Sequence, residues 1–211
     1  MNLITVNHRF KNRLNKRRNT RRIIVHHQAG NPVPASTMHQ WHLDRGWAGI
    51  GYHYVIQPDG TIETGRPHDT VGSHARGANS DSIGVCFAGN IDQQSPTRQA
   101  VQAFIDLSQQ EIFPRYGQLE IDGHRDHGNT SCPGRYMPME ELREGAMSKD
   151  TVRINGRKVD APVRNVNNRL YIELDGEPGQ RHLIQVRALN DLLGGSLQWD
   201  EKTRTADMRV R

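Results

Sequence analysis

The sequence predicts an α/β fold with a mixed central β-sheet flanked by helices, followed by a second, small α+β domain. In the first two thirds of the chain, short β-branched runs such as 23–25 and 83–85 alternate with stretches of helical periodicity. After about residue 147 the apolar runs become shorter and helical stretches become scarce. We therefore expect one domain at 1–146, a linker at 147–150 and a second domain at 151–211.

Each element of the first domain follows from a local pattern. Strands are expected wherever short apolar runs meet turn signals, at 3–6, 22–27, 50–57, 61–64, 82–87 and 119–121. Pro58-Asp59-Gly60 predicts a hairpin turn between two of them. Helices are expected where capping residues precede apolar residues at helical spacing, at 36–44, 95–113 and 138–145. The glycine-rich, polar stretch 65–81 predicts a long loop of the kind that carries site residues.

The second domain has fewer signals. A strand followed by a turn is expected at 152–157, a second strand at 169–172, and a helix at 183–193 that ends at Gly194-Gly195. The segments 197–200 and 205–210 predict a closing hairpin. Together they predict a small α+β domain.

Charge and composition narrow the possible partners and compartments. The net charge is +5, with 28 basic against 23 acidic residues, and much of the excess lies in 9–22. This segment is either a solvated arm or a contact for polyanions, which include anionic wall polymers. Because only one aromatic residue, Phe10, lies within it and no recognised nucleic-acid motif accompanies it, we expect no nucleic-acid partner. No apolar run is long enough to span a bilayer, and no signal peptide is recognisable, so we expect production in the cytoplasm.

The segment 123–134 suggests the chemistry of the chain. It places His124 and Cys132 eight residues apart, and the apolar run 23–25 ends at a further pair, His26 and His27. Imidazole and thiolate are ligands that zinc prefers, and three of them leave one coordination position open for catalysis. From the residues alone, Cys132 could equally be a buried small hydrophobe, and the histidines could be ordinary strand-end or loop residues. Cys86, within an apolar run, is expected to be a reduced core thiol.

A resemblance to a known family supports the zinc interpretation. The chain resembles the zinc-dependent N-acetylmuramoyl-L-alanine amidases of the phage-lysozyme and peptidoglycan-recognition-protein superfamily. The motifs that carry the resemblance occur in one order, at 25–29, 40–42, 46–47, 51–54, 59–61, 65–66, 71–75, 82–86 and 123–134. The resemblance implies one zinc ion held by His26, His124 and Cys132. Patterning alone leaves His26 and His27 open as the first ligand, because neighbouring strand residues face opposite sides.

The resemblance also implies a substrate and catalytic residues. The substrate would be peptidoglycan, cleaved at the amide between N-acetylmuramic acid and the L-alanine of the stem peptide. The family's catalytic positions fall on Tyr52 and on Thr130, where the phage-lysozyme type carries lysine. A threonine hydroxyl donates a hydrogen bond but supplies no charge.

Further residues are expected around this centre. His74, Arg76 and Asn79, on the glycine-rich loop, are expected to bind substrate, since an arginine fork suits the carboxylates of a stem peptide. An ordinary solvated charge is the alternative for Arg76. His53 and Asp126 are expected either to orient the ligand imidazoles from behind or to have a purely structural role.

The expected biological role is that of a phage or prophage endolysin that causes bacterial lysis. Such an enzyme would wait in the cytoplasm and reach the cell wall through a membrane pore. The alternatives are a host autolysin or recycling amidase, a non-catalytic peptidoglycan-binding receptor and a zinc nuclease. The second domain resembles, on few landmarks, the small N-terminal domain of copper amine oxidases. That resemblance implies binding to the cell wall; a stabilising or dimerising appendage is the alternative. No copper is expected, because the domain contains one histidine, His182, and no cysteine.

Overall fold

The computed structural model describes residues 1–147, 151–155, 157–159, 163–166, 169–175, 181–200 and 205–210. The chain divides into two compact units, Met1–Ala146 and Met147–Arg211. Gly156 and residues 148–150 of the expected linker lie outside the described residues. Among the described residues, no helix has both the length and the apolar character that a membrane crossing requires.

The first unit is built on a six-stranded sheet. Its strand order is β1-β4-β3-β5-β2-β6, and all neighbouring pairs are parallel except the β3–β4 hairpin. The strands are β1 (Asn2–Ile4), β2 (Arg22–His27), β3 (Tyr54–Ile56), β4 (Thr61–Thr64), β5 (Ser82–Phe87) and β6 (Glu120–Gly123). The helices are α1 (Ala35–Asp44), α2 (Arg98–Leu107), α3 (Phe113–Tyr116) and α4 (Met139–Met147). The expected mixed α/β architecture is confirmed.

The two faces of the sheet bury different sets of residues. On one face, Ile23 and Val25 of β2 pack in the main core with Phe104 and Leu107 of α2. On the other, Cys86 packs in a smaller cluster with α1. Because β2, β3, β5 and β6 run parallel, their carboxyl ends meet at one edge, which is where parallel sheets usually place their sites.

Several expected elements differ from those observed; the first strand, for example, lies at Asn2–Ile4 and not at 3–6. The expected strand 50–57 pairs with its neighbours as a regular strand only at Tyr54–Ile56. Before that point, two histidines of α1 accept the backbone N–H groups. His39 Nδ1 accepts the Ile50 N–H at 3.1 Å, and His42 Nδ1 accepts the Gly51 N–H at 3.2 Å. The expected side-chain cap of α1 is wrong, since Pro34 occupies the cap position without a side-chain hydrogen bond.

The expected helix 95–113 begins as predicted, since Thr97 Oγ1 accepts the Ala100 N–H at 3.1 Å. It is not one regular helix, however: α2 gives way to a π-helical turn at Ser108–Ile112 before α3. Pro114 explains the change, because proline has no N–H to donate and its ring crowds the carbonyl one turn earlier. A wider turn relieves that crowding.

The basic segment 9–22 is only partly a solvated arm. Arg17 donates to the carbonyls of His68 and Thr70 at 2.6 and 2.8 Å. Arg22 lies 3.4 Å from an Asp81 carboxylate oxygen and 3.5 Å from one of Asp122. These two guanidinium groups therefore anchor the arm, and the other basic residues of the segment are exposed: Arg9, Lys11, Arg13, Lys16, Arg18 and Arg21.

The second unit has its own small core, formed by Val152, Ile172, Val186 and Ala206. Its strands form a three-stranded sheet, β11-β10-β9, and a four-stranded sheet, β12-β13-β7-β8. The elements are β7 (Thr151–Ile154), β8 (Arg157–Lys158), β9 (Val163–Val166), β10 (Arg169–Asp175), β11 (Arg181–Gln185), α5 (Val186–Leu192), β12 (Ser196–Asp200) and β13 (Thr205–Arg209). The expected closing hairpin forms as β12 and β13.

The expected helix 183–193 is wrong in its first turn. Residues 183–185 belong to β11, which pairs antiparallel with β10 along Tyr171–Asp175. Pairing across the sheet overrides the local helical preference there.

Candidate functional site

Three side chains meet at the carboxyl edge of the sheet with the composition of a metal site. His26 is the next-to-last residue of β2, His124 follows β6, and Cys132 lies in the loop after β6. Their ligand atoms all lie within 4.8 Å of one another, and His26 Nδ1 is 3.7 Å from Cys132 Sγ. Two imidazoles and one thiol in this arrangement fit zinc, which favours nitrogen and sulfur donors.

The structure places His27 on the opposite side of β2 from His26. Its Nδ1 accepts the Ile91 N–H at 3.1 Å, and its Nε2 lies 3.9 Å from an Asp92 carboxylate oxygen. Only the backbone N–H of His27 turns toward the cluster, donating to Cys132 Sγ at 3.5 Å. Of the two candidates for first ligand, the geometry therefore brings His26 to the cluster.

The protonation of the three side chains suits a cation. Burial, reinforced by the neighbouring His124, lowers the pKa of His26 well below its usual value. Burial also lowers the pKa of His124, so both imidazoles are neutral at pH 7 and offer a lone pair. Burial raises the pKa of the Cys132 thiol to about 11, although the His27 N–H opposes the shift. A divalent cation between them would favour the thiolate.

The loop that carries Cys132 is fastened on both sides of the cysteine by Asp92. One Asp92 oxygen accepts the Ser131 hydroxyl at 3.2 Å, and the other accepts the Arg135 N–H at 2.8 Å. The Cys132 carbonyl accepts the Arg125 N–H at 2.8 Å. Sequence reasoning missed Asp92, although its place just after β5, at the carboxyl edge of a parallel sheet, could have drawn attention to it.

The two expected catalytic residues border the cluster. The Tyr52 ring centroid lies 5.1 Å from that of His26. Burial, together with the Cys86 and Cys132 thiols, raises the pKa of the Tyr52 phenol well above its usual value, so it remains a hydrogen-bond donor. Thr130 is exposed, and its Oγ1 accepts the Cys132 N–H at 3.2 Å. Both hydroxyl groups can therefore donate to a molecule held beside the three metal-binding side chains.

An aromatic surface continues outward from Tyr52. The His42 ring lies 6.1 Å from that of Tyr52, and the Trp47 ring lies 4.9 Å from that of His42. Trp47 is among the exposed large hydrophobic residues. These aromatic side chains therefore lead from beside the metal-binding cluster to the solvent-exposed Trp47.

The three residues expected to bind substrate are separated by the structure. Arg76 is exposed, as expected of a substrate contact. Asn79 Oδ1 instead accepts the N–H groups of His74 and Ala75, at 2.7 and 2.9 Å, and so holds their loop in place. His74 lies behind His26, with its Nδ1 2.9 Å from His26 Nε2.

The two residues expected behind the ligand imidazoles make other contacts. His53 Nδ1 accepts the Gly84 N–H at 3.0 Å and its Nε2 lies 2.8 Å from the Thr70 carbonyl, so it joins β5 to the glycine-rich loop. Asp126 accepts the Gly123 N–H at 2.8 Å, which caps the turn that begins at His124. Neither residue hydrogen-bonds a ligand imidazole in the described structure, and the place expected for them belongs to His74.

Known proteins share both the sequence and the fold of the first unit. A family model described as N-acetylmuramoyl-L-alanine amidase matches residues 16–135. The endolysin of Escherichia phage T7 is 45% identical over 126 residues, which cover 56% of this chain and 83% of the phage protein.

Solved structures agree. The N-acetylmuramoyl-L-alanine amidase LysC from Clostridium intestinale superposes with a TM-score of 0.65 at 35% identity, covering 68% of this chain and 95% of its own. The ectodomain complex of peptidoglycan recognition proteins LCa and LCx bound to tracheal cytotoxin gives a TM-score of 0.60 at 26% identity, covering 65% and 92%.

Proposed function

Because the chain belongs to the N-acetylmuramoyl-L-alanine amidase family, whose model spans residues 16–135, we propose that His26, His124 and Cys132 bind one zinc ion and form its catalytic centre. The chain is an amidase that hydrolyses peptidoglycan, and it is similar to phage endolysins. The observation that carries the zinc assignment is the convergence of two neutral imidazoles and one thiol within 4.8 Å. When bound, zinc would polarise the scissile carbonyl and lower the pKa of water.

The residues around the centre have distinct parts in this proposal. The bond cleaved joins the lactyl group of N-acetylmuramic acid to L-alanine. Tyr52, kept protonated by its raised pKa, donates a hydrogen bond to the oxygen on which negative charge develops. Thr130 donates a second hydrogen bond from the mouth of the site, and it adds no positive charge. Arg76 is exposed on the loop and pairs with a carboxylate of the stem peptide.

The cysteine ligand also separates an enzyme from a binding-only receptor. A receptor needs a groove that fits the peptide, but it has no use for three converging donors that leave room for a reacting group. Intact His26, His124 and Cys132 therefore favour hydrolysis over binding alone.

Digestion of purified peptidoglycan, with products identified by mass spectrometry, tests the proposal. We expect free stem peptides that begin at L-alanine, together with peptide-free glycan. Removal of zinc with a chelator and Cys132→Ser should each abolish these products. Wall binding without any cleavage by the zinc-loaded protein would contradict the proposal.

The second unit and the exposed basic residues are proposed to hold the enzyme on its substrate. The support is the net charge of +5 and a separate small core in Met147–Arg211. Anionic wall polymers would attract the positive surface. A chain that ends at residue 146 should sediment with purified walls less than the full chain does, and salt should weaken the binding of both.

The endolysin relatives also support a route to the substrate. We propose that the enzyme is made in the cytoplasm of the producing cell and reaches the wall through a membrane pore. Expression in a bacterial host should then cause lysis only when a pore-forming protein is produced with it. Lysis by the enzyme alone would contradict this route.

A further inference from the structure

His74, expected to bind substrate, has a different place in the structure. Its Nδ1 lies 2.9 Å from His26 Nε2, and the two rings are nearly perpendicular at 83°. The other nitrogen of His26, Nδ1, faces Cys132 Sγ at 3.7 Å. We propose that His74 is a positioning residue that accepts the His26 Nε2–H and so keeps the His26 Nδ1 lone pair directed at the metal. This inference rests on the proposed zinc site.

The direction of the hydrogen bond follows from counting protons. Ser82 has one hydroxyl proton, and it donates that proton to the Ala78 carbonyl at 2.5 Å. At its 3.4 Å contact with His74 Nε2, the Ser82 oxygen must therefore accept. A neutral imidazole that carries its proton on Nε2 has a lone pair on Nδ1. His74 Nδ1 consequently accepts from His26 Nε2, and His26 is left with a free lone pair on Nδ1.

Two glycines form a slot for the His74 ring. A Cβ atom at Gly72 would lie 2.4 Å from His74 Cδ2, and one at Gly84 would lie 2.5 Å from the same atom. Neither distance is possible for a real side chain, so any larger residue at either position would displace the imidazole. Asn79 Oδ1, which accepts the His74 and Ala75 N–H groups, fixes the backbone of the same residue. The ring is therefore held through its own backbone and by the close approach of two glycines.

Because the hydrogen-bond partner of His26 is another histidine, it can orient His26 without changing the charge of the site. Metal-bound histidines usually donate their second N–H to a carboxylate, a carbonyl or water, which fixes the tautomer and orients the ring. His74 performs the same task with an imidazole, which, unlike a carboxylate, carries no negative charge. His74 therefore orients His26 without adding negative charge to the site.

The tautomer of His26 can be measured directly by ¹⁵N NMR on the zinc-free wild-type protein. The proposal predicts a protonated Nε2 and an unprotonated Nδ1 on His26 at pH 7. A proton on His26 Nδ1 would overturn it. This measurement requires neither activity nor a variant.

Zinc affinity, measured by competition with a chelator, tests the same point by substitution. His74→Leu removes the acceptor and should weaken zinc binding about 10- to 100-fold, the usual cost of losing such a partner. His74→Asn places an amide oxygen near the position of Nδ1 and should restore most of the affinity. His8→Leu, which removes a histidine bonded to the Thr64 carbonyl at 3.0 Å, is the matched control and should bind zinc as the wild type does.

The outcomes separate this inference from the proposed function. Should the wild type bind no zinc, the proposed function fails. Should the wild type, His74→Leu and His74→Asn bind zinc equally while only KM rises in His74→Leu, His74 contacts substrate and the positioning role is wrong. Thermal melting of the zinc-free variants identifies any that fail to fold, and the NMR measurement then decides the matter alone.

Discussion

Replacing His26 and His27 one at a time should give opposite results, although the two residues are neighbours of the same type. The His27 imidazole is 3% exposed and accepts the N–H of buried Ile91 at 3.1 Å. His27→Ala leaves that N–H without its acceptor and opens a cavity on the side of β2 away from the metal-binding cluster. Zinc should still bind, because the ligand atoms and the His27 backbone N–H to Cys132 are retained.

The size of the effect follows from these contacts. An unsatisfied buried backbone donor costs about 1–3 kcal/mol. Loss of the packed side chain adds to this, so the free energy of unfolding should fall by about 2–4 kcal/mol in His27→Ala. In His27→Asn the amide oxygen can take the place of Nδ1, and the loss should be smaller. His26→Ala, by contrast, removes one of three ligands and should abolish tight zinc binding.

Urea unfolding of the zinc-free proteins measures the first effect, and chelator competition measures the second. Zinc-free proteins are required because a bound metal stabilises the folded state by mass action and would mask the difference. Loss of zinc binding in His27→Ala, with His26→Ala still binding, would refute the assignment of the two faces of β2.

Three further predictions concern the loop, the chemistry and pH. Asp92→Ala frees both attachments of the Cys132 loop and should weaken zinc binding about tenfold in chelator competition. Tyr52→Phe should lower kcat about 10²- to 10³-fold on a soluble muramoyl-peptide without changing zinc affinity; an unchanged kcat would remove Tyr52 from the mechanism. Acid should destabilise the zinc-free protein, because burial lowers the pKa of His53 from 6.5 to about 3 and that of His68 to about 4. Unfolding therefore takes up protons below about pH 6.5, and the contribution of these histidines to the free energy of unfolding is fully present only above that pH. Toward pH 4 the free energy of unfolding should fall by about 1.4 kcal/mol per pH unit for His53 and by less for His68, which solvent screens more. Urea midpoints that do not change between pH 7 and 4.5 would contradict this.

The strands of the sheet, and the edge of the sheet that carries the candidate site, were predictable because short stretches of sequence encode them. The β-branched run that ends at His26 predicts a buried strand, and the turn at 58–60 predicts the hairpin that the structure contains. The sequence pattern could not predict which of His26 and His27 points toward the metal-binding cluster. Both residues lie in a fully buried strand, where alternation no longer separates an inner from an outer face.

The contacts that His74 and His53 make behind the metal-binding cluster could not be predicted from sequence, because they depend on how the glycine-rich loop packs against the sheet. His74 and His53 look equivalent in sequence, as polar residues near glycines. Only the tertiary structure brings Gly72 and Gly84 together from a loop and a strand to form the slot for His74. The hydrogen-bond partner of His26 is therefore a consequence of packing and has no sequence motif of its own.

X-ray absorption at the zinc edge of the active protein tests the central claim most directly. The account predicts one zinc per chain with one sulfur ligand at about 2.3 Å and two histidine nitrogens at about 2.0–2.1 Å. In Cys132→Ser the sulfur contribution and the release of L-alanine-terminated stem peptides should disappear together. A zinc shell without sulfur in the active protein, or full activity in a protein that contains no metal, would contradict it.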